Sequence, residues 1–490
     1  MSSLLIRTAF IYAVFVSSLC APQAHAELRV ANLFGDHMVL QQNQPIRVWG
    51  WAEPGSKVTV DLTSSDDEST ATANVNQDGK WLTEFKPRKA EGKELSLSIH
   101  SGNERIKFDD ILMGEVWICS GQSNMEWRVT QAANPQEEIS KANHPMIRFY
   151  DVPKHVKQNE PQEDAQENEW KLCSPETIGG FSAVGYYFGR RLHQELDLPI
   201  GLIGTNWGGQ RIEPFTPPTG FEQVPELADY VKDLESGKFK GGATQIYNGM
   251  VAGLTPFSVQ GAIWYQGESN AGDGLRYNFL KEALVKGWRS VFKNENLSFY
   301  WVQLADFGRG HTGQPAGGGW GPVREGQRRA LRIPNTGMAV IIDIGAEKDI
   351  HPKNKQDVGG RLAQLALVKN YGRENMEACG PLYRSHQIDG NQIRIQFDHV
   401  GKGLMVAEKG GPHFMDPIHP TPNDTLTEFS IQDAEGNWHW AKAKIDGDSV
   451  VVTSDAVSEP KNVRFAYDSY PKINLYNRNG LPASPFSTTD

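Results

Sequence analysis

Four short runs place a hydroxyl, an imidazole, carboxylates and amides where the chain leaves an apolar stretch. Ser123 lies in SGQSNM (120–125), directly after the apolar run 115–119, and Gly121 allows a sharp turn there. A serine exposed at such a turn acts as a nucleophile when a neighbouring base takes its proton. Ser and Asn are also good helix caps, and taken alone the run reads as a cap. The GxSxG elbow of the α/β-hydrolases is absent.

The second run, IGTNWGGQ (203–210), carries Gly208 and Gly209. Paired glycines leave backbone N–H groups open to a developing oxyanion, although an ordinary glycine turn has the same composition. The third, WYQGESN (264–270), gathers Gln266, Glu268, Ser269 and Asn270 after an apolar strand. Such groups hold a substrate oxygen or orient a histidine; capping the next helix is the competing role for Ser269 and Asn270. In the fourth, DIGAEKDIHP (343–352), Asp349 stands two residues before His351, where it can orient the imidazole from the Nδ1 side. A lone histidine is more often structural than catalytic. Serine, glycine turn, amide cluster and Asp/His at successive strand ends make coincidence hard to sustain.

These groups meet only if the chain brings the strand ends to one rim. Strands are expected at 115–119, 147–150, 200–205, 261–265, 300–304 and 338–344, with helices at 183–196, 275–292, 323–331 and 355–370. This alternation predicts an α/β fold with a parallel sheet and helices on both faces. Ligands then sit beyond the carboxyl ends of the strands. On either side the rhythm is β. Short alternating runs occupy 46–51, 57–62, 81–85 and 95–99, and again 392–397, 449–453 and 463–467. Turns such as Asp78-Gly79, Asp389-Gly390 and Asp446-Gly447 separate them. The expected division is a leader 1–26, an N-terminal β-domain 27–107, a catalytic domain 108–380 and a C-terminal β-domain 381–490.

Composition bounds the function. A chain of 490 residues suggests about three units, and 39% hydrophobic with 22% charged residues excludes a disordered chain. A net charge of −10 argues against nucleic acid as a partner, because phosphate backbones call for a basic surface. Arg7, the apolar run 8–19 and Ala24-His25-Ala26 read as a signal peptide, which predicts a secreted or periplasmic protein. The apolar run is shorter than the ~20 residues a membrane span needs, so no stable membrane insertion is expected. Without Cys20 the cysteines number three, Cys119, Cys173 and Cys379, with no CxxC pair. That is neither a disulfide scaffold nor a zinc module. A Cys173–Cys379 bridge and the oligomeric state stay open. With no HExxH and no Cys/His ligand spacing, neither metal nor cofactor is expected.

SGQSNMEW, GTNWGGQRIEPF, WYQGESNA and DIHPKNKQDVGGRLA resemble the motif blocks of SGNH-hydrolase carbohydrate esterases. The likeness is to the sialate O-acetylesterase-like family, related to bacterial acetylxylan esterases, and extends to the opening VANLFGDHMVLQQ and closing NLYNRNGLPASPFSTTD. The resemblance implies a flavodoxin-like three-layer α/β/α core, flanked by β-rich domains. It also implies hydrolysis of acetyl esters on an O-acetylated carbohydrate through an acyl-enzyme. Ser123 matches the nucleophile and His351 the general base. Asp349 is the expected acid partner, although the family often has Asp three residues before the His, where Lys348 stands. Glu268 is the alternative or additional acid. Oxyanion donors would come from Ser123, Gly208 or Gly209, and an amide of Gln266 or Asn270; the family's GxND block reads GESN here. Gln122, Trp207, Arg211 and Trp320 are the expected substrate-binding residues.

Two features compete for attention. Asp416 and His419 have the three-residue spacing but lie in a Gly/Pro-rich stretch outside the α/β rhythm, so His351 is preferred. The Gly-rich run 306–326 lacks a phosphate-binding GK[ST] ending and reads as a substrate loop or a solvent loop, with His311 peripheral. The rival functions are a non-catalytic carbohydrate binder, a carbohydrate O-acetyltransferase and a two-carboxylate glycosidase.

Overall fold

The computed structural model describes residues 26–153, 157–236, 242–310, 313, 315, 317–410, 417–421 and 425–489. The expected leader (all but its last residue), His311 and Asp416 lie outside them. The centre is a run of seven neighbouring strands within a sheet of eleven among the described residues: β1 (Glu104–Gly121), β2 (His144–Asp151), β3 (Lys171–Cys173), β4 (Ile200–Asn206), β5 (Gly261–Tyr265), β6 (Ser298–Val302) and β7 (Thr336–Ala339). Their spatial order is β3-β2-β4-β1-β5-β6-β7, parallel throughout except for the edge pair β3–β2. β4, β5 and β6 are buried along their whole length, as strands covered on both faces must be.

The strands alternate between two helical layers. Trp117 packs edge-on against Phe188 of α2 (Ala183–Leu196) and stacks on Tyr300, while Leu365 of α5 (Lys355–Tyr371) lies close over Gly337. On the other face Phe299 meets Trp288 of α3 (Tyr277–Val291) edge to face at 5.7 Å. The Lys281 side-chain nitrogen of α3 sits 4.8 Å from the Trp264 ring centre. α1 (Ser123–Glu126) and α4 (Gly321–Arg329) complete the elements that concern the site. The fold is the expected α/β core with β-rich flanks.

β1 is longer than the apolar run that predicted it. Its first half pairs antiparallel with the strand Glu94–Ser101 and its last residues with β4 and β5. The expected boundary at 107/108 therefore falls within one strand, and the apolar core is continuous from Leu28 to Cys379. A second core, Ile393 to Phe486, belongs to the C-terminal sheets. Buried Arg324 on α4 ties the two together, donating to the carbonyls of Leu304 (2.9 Å) and Ser469 (2.9 Å).

β7 is shorter than expected. After Ala339 the chain leaves the ladder because Arg361 of α5 takes over its polar groups. Arg361 donates to the Val340 carbonyl at 2.7 Å and to both Asp343 carboxylate oxygens at 2.6 and 2.8 Å. This clamp starts the loop that carries His351. Cys119, Cys173 and Cys379 are buried free thiols. No helix among the described residues is long and apolar enough to cross a membrane.

Candidate active site

The ends of β1, β4 and β5 and the loop after β7 converge. Gly121 closes β1 with φ 137°, and a Cβ there would lie 2.2 Å from the Tyr265 carbonyl. Only glycine permits that approach. It lets the Gln122 N–H donate to the Tyr265 carbonyl at 3.0 Å, and the chain turns into α1 with Ser123 at its first position. Gln122 is buried, and its side-chain oxygen accepts from the Ser269 N–H at 3.2 Å. The residue expected to bind substrate thus fastens α1 to the loop after β5.

Ser123 Oγ and His351 Nε2 are 2.8 Å apart and hydrogen-bonded, although 228 residues separate them in the chain. Asp349 grips the histidine differently from the expectation: its Oδ1 accepts the main-chain N–H of His351 at 2.9 Å. Among the described residues no hydrogen bond reaches Nδ1, but the Asp349 charge still favours the imidazolium. Partial burial lowers the His351 pKa, and the Lys355 ammonium lowers it further against the pull of Asp349.

Glu268 is not on the histidine. Its Oε1 accepts from Asn124 Nδ2 at 2.6 Å, and its buried Oε2 has no hydrogen-bond partner among the described residues. Burial raises its pKa, with Asn124 and Lys355 opposing. Asn124 is the hub: its Nδ2 also donates to the Ile350 carbonyl at 2.9 Å, and its Oδ1 accepts from Lys355 Nζ at 2.5 Å. One side chain beside the serine thereby holds the residue before the histidine. Burial pushes the Lys355 ammonium down to about 7 against the pull of Glu268 and Asp349. Sequence reasoning missed Asn124 and Lys355. The available signal was a lysine opening a helix, where the macrodipole disfavours a cation.

The two side-chain amides expected near the oxyanion are engaged in hydrogen bonds. Asn270 is fully buried; its oxygen accepts from the Ile212 N–H (3.0 Å) and Gln266 Nε2 (2.7 Å). Its nitrogen donates to Glu213 (3.2 Å) and Asp273 (3.0 Å). Gln266 is equally committed, donating to the Gln210 carbonyl (3.2 Å) and accepting from the Tyr277 hydroxyl (2.7 Å). Arg211 belongs to the same knot, with ion pairs to Glu213 (2.7 Å) and Asp273 (2.6 Å). Neither amide is free to meet an oxyanion, and Arg211 is held by carboxylates.

The glycine turn is close to the serine, for a Cβ on Gly208 would come within 3.4 Å of Ser123 Cβ. The Gly208 N–H is, however, donated to Glu126 Oε2 at 2.6 Å. Gly209 is exposed with φ 69°. Trp207, half-buried, donates its N–H to the Gly121 carbonyl (2.9 Å), and the Lys157 ammonium lies 5.1 Å from its ring centre. Trp320 packs on Phe307 (5.1 Å), and its N–H donates to Ser469 Oγ (3.3 Å), which puts it against the C-terminal segment. His419 is exposed on the strand Ile418–Pro420 that pairs with Leu404–Lys409. Trp127 also lies against His351 and stacks on the imidazole. Among the described residues no group of three or more His, Cys, Asp or Glu is arranged to hold a metal ion.

Known carbohydrate esterases resemble the chain over most of its length. Residues 113–368 match the family model for carbohydrate esterases described as sialic acid-specific acetylesterase. The chain is 31% identical over 387 residues to a sialate O-acetylesterase of Homo sapiens, covering 72% of this chain and 73% of that protein. It is 29% identical to one of Rattus norvegicus, covering 94% of each. The crystal structure of a carbohydrate acetylesterase from Xanthomonas citri superposes with a TM-score of 0.82 at 34% identity, covering 94% of this chain and 99% of that one.

Proposed function

We propose a mechanism from the premise that this chain belongs to the sialic acid-specific acetylesterase family of carbohydrate esterases, and so is a carbohydrate O-acetylesterase. Ser123 Oγ attacks the acetyl carbonyl carbon while its proton passes to His351 Nε2; the 2.8 Å hydrogen bond carries this reading. The tetrahedral intermediate collapses, the C–O bond to the sugar breaks, and His351 returns the proton to the leaving hydroxyl. Water then attacks the acetyl-serine with His351 again as base, releasing acetate and regenerating Ser123. Asp349 stabilises the imidazolium by its charge, and holds the backbone that presents the ring.

The oxyanion forms beside the Ser123 N–H at the start of α1, and the Gly208 N–H joins it as a donor only when it gives up its bond to Glu126. Removing one such donor typically costs about 10²–10³-fold in rate. The names of the relatives make O-acetylated sialic acid the first substrate to try, ahead of acetylated xylan or xyloglucan oligosaccharides. Water as acceptor separates this reading from an acetyltransferase. Acid-quenching a reaction with 4-nitrophenyl acetate and mapping the peptides tests it: one acetyl group is expected on the peptide containing Ser123 and none in Ser123→Ala. Acetylation elsewhere, or none with turnover continuing, overturns the acyl-serine route.

A further inference from the structure

His351 lacks a hydrogen bond at Nδ1 among the described residues, yet its ring is held. Trp127 lies face to face with it, ring centres 4.6 Å apart and planes 13° from parallel. The indole is fixed in turn: Nε1 donates to the Gln131 carbonyl at 2.9 Å, and the following Arg128 N–H donates to Gln131 Oε1 at 3.1 Å. The next N–H, of Val129, donates to the Phe181 carbonyl at 3.1 Å. Trp127 therefore presents one face of a half-buried ring to one face of the imidazole.

We propose that Trp127 is a positioning residue for the hydrolysis. Its indole face keeps the His351 ring in the plane that aims Nε2 at Ser123 Oγ, and it attracts the imidazolium formed when the serine proton is taken up. The proposal rests on the reading of His351 as general base. An indole face carries the negative part of the ring quadrupole and attracts a cation more than a neutral ring. The attraction grows as the imidazole becomes charged, so it acts on the transition state more than on substrate binding.

The charged groups facing His351 are Lys355 from α5 and Asp349 from its own loop; Glu268, from the loop after β5, acts through Asn124 on Lys355. Lys355 makes the imidazolium costly, and Asp349 and Trp127 offset it from two sides. On Trp127's own segment, the Glu126 carboxylate engages the Gly208 N–H, and Arg128 is exposed.

The experiment is a substitution series, Trp127→Phe, Trp127→Met and Trp127→Leu, with Ser123→Ala and His351→Ala in parallel. kcat, KM, the pH dependence of kcat/KM and Tm are measured for each. Met and Leu are expected to lower kcat by about 3- to 30-fold, the range a cation–π contact supplies. KM stays within about twofold because uniform binding is unaffected. The acidic limb of kcat/KM moves to lower pH, since the imidazolium has lost a stabilising neighbour, and Phe restores most of both effects. Met and Leu are independent aliphatic replacements, so a folding failure in one leaves the other to be read. Aliphatic variants that match Phe with an unmoved acidic limb overturn the proposal, as does a limb that moves to higher pH. If His351→Ala keeps full activity, the assignment of the base falls first; if it is inactive while the Trp127 series is flat, the inference alone falls.

Discussion

Around Asn270 the polar side chains are spoken for. Asn270, Gln266, Glu213 and Arg211 hydrogen-bond one another or nearby main chain, and Asn270, Gln266 and Glu213 are almost wholly buried. Around His351 the opposite holds. The ring is half-buried, Nδ1 carries no hydrogen bond among the described residues, and the polar contact of Nε2 is with Ser123 Oγ. Both clusters sit at carboxyl ends of strands of one sheet, and both read as reactive in the sequence. Saturation separates them: a buried group with all its partners supports the fold, while a partly open group with one partner can give that partner up to a substrate.

This contrast predicts different failures. His351→Ala is expected to lower kcat by at least about 10³-fold with Tm almost unchanged; a mutant that melts early instead would make the histidine structural. Glu213→Ala does the reverse. Removing one of the two carboxylates that hold Arg211, together with an acceptor of the buried Asn270 amide, is expected to cost about 1–3 kcal/mol in denaturant unfolding, with normal kcat per folded molecule. Wild-type stability combined with lost activity would place the knot in the chemistry.

Smaller effects sharpen the boundary. Gly208→Ala is expected to reduce kcat by about tenfold, an effect of ~1.4 kcal/mol, because its Cβ would crowd Glu126 Oε2 at 3.1 Å and Ser123 Cβ at 3.4 Å. An unaltered rate would show that the turn gives way without disturbing Ser123. Lys355 supplies a pH test. Unfolded, it holds its proton to about 10.4; folded, only to about 7. Between those values the unfolded chain binds the additional proton, so the contribution of this residue to stability rises with pH across that window. The Tm difference between wild type and Lys355→Met is expected to move in favour of wild type from pH 7 to pH 10. A constant difference contradicts the buried ammonium.

The strand ends were legible because a parallel sheet covered on both faces writes its strands as continuous apolar runs, and the polar residue that follows each run marks the rim. Ser123 and His351, which the structure brings within 2.8 Å of each other, were singled out that way. The roles of Gln122, Gln266, Asn270 and Arg211 were not legible. Each depends on at least one partner far along the chain: Ser269 for Gln122, Gln210 for Gln266, Glu213 for Asn270 and Asp273 for Arg211. Glu268 looked like an acid for the histidine until Asn124 stood between the carboxylate and the histidine loop. The early end of β7 was hidden because Arg361, which replaces its ladder, lies more than twenty residues downstream. Stacking of Trp127 on His351 leaves no spacing to read.

The central claim is that acetate is released through Ser123 and its bond to His351. It is tested most directly by measuring acetate release from O-acetylated sialic acid and acetylated oligosaccharides, with wild type and Ser123→Ala at equal folded concentration. Wild type should release acetate from at least one of them, while Ser123→Ala, folded and with unchanged Tm, releases none above the uncatalysed rate. Equal release by the two proteins would contradict the account.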